Sequence, residues 1–95
     1  MSGSFAFVAS GDRMFRAEVP SGRADVVTLS ARDLSTAQRT VLWTVTIEVH
    51  HPVAALRLVR QSEGLCVEVD AIIADGRRQT FVWVYRDDGV CAWQE

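Results

Sequence analysis

Four sets of side chains in this sequence have the types that chemistry needs. Cys66 and Cys91 are the only cysteines, and His50 and His51 the only histidines. Glu68 and Asp70 are two residues apart, so on a strand both carboxylates share a face. Arg77 and Arg78 run into the aromatic stretch Phe81-Val82-Trp83-Val84-Tyr85. A nucleophilic or redox thiol needs exposure and a basic neighbour, and no CxxC accompanies either cysteine. Adjacent histidines on an extended chain point to opposite faces and chelate one ion poorly. Glu48 and His50 together supply two ligands, short of the three or four of a zinc site. Paired acids can do acid–base work or hold a divalent cation, but two solvated acids on an outer face need no such role, and Arg78 and Arg86 stand nearby as counter-charges.

The basic-and-aromatic run faintly resembles the strand with which RNA recognition motifs stack bases. Its glycine and second aromatic are out of register with that pattern, and no βαββαβ order surrounds it. No GxSxG, P-loop or GxGxxG occurs. No catalytic, cofactor-binding or metal-binding residue is therefore assigned, and no cofactor is expected.

Composition narrows the field further. The chain has 95 residues, 48% hydrophobic and 23% charged, with a formal net charge of −2. It is long enough for one domain with a modest core. The charge offers no global attraction for nucleic acid or an anionic membrane. All ten basic residues are arginine, and lysine and asparagine are absent; this reads as the coding bias of a GC-rich bacterial genome before it reads as chemistry. No apolar run approaches the ~20 residues of a membrane span. The first ten residues lack the basic and apolar regions of a signal peptide, so a cytoplasmic location is the expectation.

The elements that must position these residues are mostly strands. Residues 5–9, 14–19 and 25–29 read as three strands joined at Gly11 and Pro20-Ser21-Gly22. In 41–49, Val41, Trp43, Val45, Ile47 and Val49 alternate with Leu42, Thr44, Thr46 and Glu48, the period-two pattern of a half-buried strand. Between these, Ser30 followed by Asp33 resembles a capping box, and Leu34, Ala37 and Val41 fall near helical spacing; a short helix is expected over 31–39. Residues 53–62 read two ways. As a strand paired to 65–71 through a three-residue turn with Gly64 left-handed, Arg57 would face Val69 on the core side. As a helix, Pro52 sits at the first turn, Gly64 past the end, and Arg57, Arg60 and Gln61 share a polar face. The helix is preferred.

Residues 65–73, 78–86 and 90–94 form a meander. Three-residue loops at Ala74-Asp75-Gly76 and Asp87-Asp88-Gly89 set its register, because a one-residue slip would mix acids with aromatics. Leu65, Val67 and Val69 then oppose Tyr85, Trp83 and Phe81; Cys91 opposes Tyr85 and Trp93 opposes Trp83, all on the core face. The two cysteines fall on opposite faces and form no disulfide.

The expected fold is α+β: an antiparallel sheet of about six or seven strands with one or two short helices packed on it. The reverse face of the meander, with Cys66, Glu68, Asp70, Ile72, Thr80, Val82, Val84 and Ala92, is the candidate interaction face if no helix covers it. A non-enzymatic interaction or assembly module, with an unidentified protein partner or a second copy, is the favoured function. Alternatives are a small-ligand or metal binder near His50 and His51, and nucleic-acid binding through the arginine and aromatic strand.

Overall fold

A computed structural model describes residues 5–62 and 64–94, apart from the side chain of Trp93. Among these residues there is no helix, hence none long and apolar enough to cross a membrane. The architecture is all-β, and this overturns the expected α+β class. Eight strands form two antiparallel four-stranded meanders, β1 (Phe5–Ser10), β2 (Arg13–Glu18), β3 (Val26–Asp33) and β4 (Val41–Glu48), then β5 (Val53–Gln61), β6 (Gly64–Ile72), β7 (Arg78–Tyr85) and β8 (Cys91–Gln94). Each sheet keeps its strands in chain order, and every neighbour pair is antiparallel.

The two sheets bury one apolar face each against the other. Ala17, Val27, Leu29, Ile47 and Val49 of the first pack in one cluster with Val67, Val69, Ala71, Trp83 and Tyr85 of the second. Phe15, Ala31 and Leu65 close the other end of the core, with Trp43 and Leu58 against them. Burying side chains of this size stabilises by roughly 1.5–3 kcal/mol each, and period-two alternation supplies them from both sheets. The corner between the sheets is stapled by backbone. His50 adopts a left-handed φ of 68°. Val49 N–H and His50 N–H both donate to the Asp25 carbonyl, and Val53 N–H donates to that of Ala24.

Neither expected helix forms. Residues 31–33 continue β3, and Asp33 does not cap a helix. Its Oδ1 instead accepts from the Ser35 N–H at 2.8 Å and the Ser35 hydroxyl at 2.6 Å, a local turn that competes with helix. Residues 35–40 are exposed, so this segment has no apolar face to bury. Residues 53–62 are strand through Gln61. Gln61 stands opposite Gly64, so only two residues separate the paired ends, and Arg57 opposes Glu68 on the outer face. The conflict that favoured a helix came from assuming one residue too many in that turn.

The meander register stands as expected from β6 to β7: Leu65 opposes Tyr85, Val67 opposes Trp83 and Val69 opposes Phe81. Both loops are three residues long, with Gly76 at φ 85° and Gly89 at φ 87°. The β8 register is corrected in part. Cys91 opposes Tyr85, but a bulge at Ala92 sets Trp93 opposite Val84, and Cys91 is exposed. The side chain of Trp93, and with it the proposed indole pair, lies outside the described residues.

Candidate interaction site

Antiparallel pairing brings the β6 and β7 members of the expected interaction face together on the outer side of the second sheet, while Ala92 falls unpaired at the β8 bulge, and no helix among the described residues covers the face. The face divides in two. At one end Arg57 Nε donates to Glu68 Oε1 at 3.0 Å, and its two terminal nitrogens reach Asp70 at 3.1 and 3.0 Å. The Thr80 hydroxyl donates to Asp70 Oδ1 at 2.7 Å. The Arg57 and Thr80 hydrogen bonds hold the Asp70 carboxyl down at about 2. The main counter-charge is thus Arg57, with Arg78 adding a smaller pull on Asp70 from a distance, while Arg86 pairs with Asp88. The carboxylates are already satisfied by their own sheet. At the other end, Val59, Cys66 and Val84 stand in one cross-strand row, while the half-buried Val82 lies opposite Glu68 and the half-buried Ile72 lies beyond Asp70, opposite Arg78.

Cys66 is buried, and burial followed by the neighbouring Glu68 pushes its thiol pKa up. This is the reverse of the electropositive setting that activates a thiol. No disulfide joins the two cysteines. Phe81 and Trp83 point into the core, so the arginine-led strand presents no stacking platform. His51 stacks on Phe81 at 5.9 Å, interplanar angle 10°, while His50 is exposed beyond the corner. Among the described residues no group of three or more His, Cys, Asp or Glu could hold a metal ion.

A second surface was not anticipated. On β1 the larger side chains face outward: Phe5 is 57% and Phe7 61% exposed. Their rings stack, centroids 6.3 Å apart. The β1–β2 pairing sets Phe7 opposite Arg16 and Ala9 opposite Met14. The Arg16 guanidinium lies over the Phe5 ring, 5.1 Å from its centroid, and reaches Glu18 at 3.5 Å. Arg16 Nε is shut off from solvent and has no acceptor. Phe5, Phe7, Met14 and Arg16 line a shallow groove of about 260 Å³. The sequence carried a signal for it. In 5–10 the bulkier phase is Phe5 and Phe7, and the inward phase, Ala6 and Val8, is what a sheet edge with little room accepts.

Fold and surface define a small two-sheet β protein with an exposed aromatic groove. No protein-family model, characterised protein or solved structure matches the chain.

Proposed function

We propose that this protein is a non-enzymatic interaction module whose docking site is the Phe5–Phe7 groove. The observation that carries the proposal is the stacked, solvent-exposed pair Phe5 and Phe7, with the Arg16 guanidinium over one of the rings. Leaving two aromatic rings in water forgoes burial worth roughly 1.5–3 kcal/mol each, and exposed apolar surface of this kind marks contact sites. The partner that fits is a protein segment with an apolar side chain next to a carboxylate. The apolar chain would enter between Phe5, Phe7 and Met14, and the carboxylate would accept from a terminal nitrogen of Arg16, since Nε is shut off from solvent. A base-stacking role uses similar aromatics, but it also needs a positive groove along a backbone, and this groove is lined by a single arginine, Arg16.

Phage-displayed random peptides selected on the wild type and counter-selected on a Phe5→Ala/Phe7→Ala variant provide the test. Both rings are outside the core, so the variant retains its fold. Enriched sequences should pair an apolar residue with Asp or Glu, and Arg16→Gln should weaken them. Peptides that bind both proteins equally would defeat the proposal. So would single-stranded oligonucleotides binding the groove in place of peptides.

A further inference from the structure

We infer that two copies of this chain join through the edge of β4, making one sheet continuous across the pair. Each four-stranded sheet has two edges, and an edge strand presents a row of unpaired N–H and C=O groups. Three of the four edges are poorly suited to pairing. β1 and β5 lie close against each other. β8 has four residues and is bulged at Ala92. β4 has eight residues and, among the described residues, pairs only with β3. Its one irregularity is the bulge at Leu42, and its one charge is Glu48, which faces Arg23 at 3.6 Å. Between them, Trp43 to Ile47 is a regular run with no charge, proline or glycine, so it lacks the devices that normally blunt an edge.

The occupant is specified by the strand's own sequence. In a two-fold antiparallel pair, facing residues must lie on the same side of the sheet, so the axis passes through a residue and not between two. Centring on Val45 uses the whole unguarded run. Val45 meets Val45 of the second copy, Thr44 meets its Thr46, and Trp43 meets its Ile47. Threonine–threonine and aromatic–β-branched pairs are favourable cross-strand partners. The inner side has a matching deficit: Ile47 and Val49 are buried, but Val45 at the edge is only half-buried. A second Val45 across the axis would complete its cover.

Sedimentation velocity on the full chain, from micromolar to roughly 1 mM, reads the association directly. A concentration-dependent dimer is expected. Thr44→Lys/Thr46→Lys changes exposed side chains only and places like charges opposite each other twice across the axis. It should weaken the dimer about tenfold or more. Thr44→Glu/Thr46→Glu should do the same, and an equimolar mixture of the two variants should associate again. If either variant fails to fold, hydrogen exchange on the wild type decides: amides of 43–47 should exchange more slowly as concentration rises. A wild type that stays monomeric to roughly 1 mM, amides there that are indifferent to concentration, or a dimer unmoved by both charge variants would overturn the inference.

Discussion

The indole Nε1 of Trp43 donates a hydrogen bond to the backbone carbonyl of Asp87 at 2.8 Å, tying the edge strand of the first sheet to the last turn of the second. Arg13 reaches the same carbonyl at 3.4 Å. Trp43 is half-buried and also packs against Phe15, ring centroids 6.3 Å apart. Trp43→Phe keeps an aromatic ring there but removes the donor. It should cost about 1–2 kcal/mol, the worth of a partly buried hydrogen bond plus the lost ring volume. Chemical denaturation monitored by circular dichroism checks this, and a variant as stable as the wild type would remove the tie from the account.

The same contact makes two glycines of identical turn grammar unequal. Gly76 and Gly89 both close three-residue loops with left-handed φ, 85° and 87°. A Cβ on Gly76 meets nothing within 4 Å, whereas on Gly89 it would fall 2.8 Å from Trp43 Cδ2. Gly76→Ala should cost about 1 kcal/mol from backbone strain alone. Gly89→Ala should cost about 1–3 kcal/mol more, because the ring must also move. Equal losses of melting temperature would show that the β7–β8 loop yields freely.

Gly64 explains where the sequence was legible and where it was not. The loops at Gly76 and Gly89 could be read because each has an aspartate just before the glycine. Asp75 Oδ1 accepts from the Arg77 N–H, and Asp88 Oδ1 from the Val90 N–H. Polar chemistry, glycine and hydrophobic phase all pointed to one register, and Leu65, Val67 and Val69 found their partners. Gly64 resembles those glycines but does another job. It is a strand residue without left-handed φ, and a Cβ there would lie 2.1 Å from the Tyr85 carbonyl oxygen. Close approach of two strands is a tertiary fact with no local signature. Reading Gly64 as a turn residue slipped β5 by one, put Arg57 in the core and made a helix look better. Likewise, the outward phase of Phe5 and Phe7 contradicts the rule that bulky apolar residues face the core, and it is there that the candidate site lies. Gly64→Ala should therefore be among the most damaging small substitutions, about 3 kcal/mol or more, measured by urea unfolding. A loss below that of Gly76→Ala would contradict the close approach.

Arg60 lies on the core-facing phase of β5, opposite Leu65, and its charge is answered there by Asp87, whose hydrogen bond pushes the guanidinium pKa up. It forms a two-pronged ion pair with Asp87, Nη2 to Oδ2 at 2.8 Å and Nη1 to Oδ1, and Nη1 also donates to the Gly64 carbonyl. Its guanidinium sits 5.5 Å from the Phe15 ring centroid. Such side chains stabilise through their stems as well as their charge. Arg60→Ala should cost about 2 kcal/mol, and Asp87→Asn less, about 1 kcal/mol, because asparagine keeps an acceptor for one prong. The order of the two losses in thermal melts is the check, and Asp87→Asn being the worse would place the weight on the charge alone.

Asp70 gives the pH dependence a sign. Its carboxyl is held at about 2, below the ordinary 3.8, by Arg57 and by the Thr80 hydroxyl. A carboxylate whose folded pKa is depressed binds its proton more readily when unfolded. Its contribution is therefore complete above the ordinary value and disappears as pH falls from about 4 towards 2. Asp70 is only 18% exposed, but Arg57 is 46% exposed, so solvent screens the pair. The contribution should be on the order of 1 kcal/mol. Urea unfolding of the wild type and Asp70→Asn at pH 7 and pH 2 isolates it: the wild type should be the more stable at pH 7, and the gap should close at pH 2. Arg57→Met should remove most of the same pH-dependent increment, leaving the Thr80 hydroxyl as the remaining hydrogen-bond donor to Asp70. A gap between wild type and Asp70→Asn that is the same at both pH values would mean that Asp70 acts here as a hydrogen-bond acceptor and not as a charge.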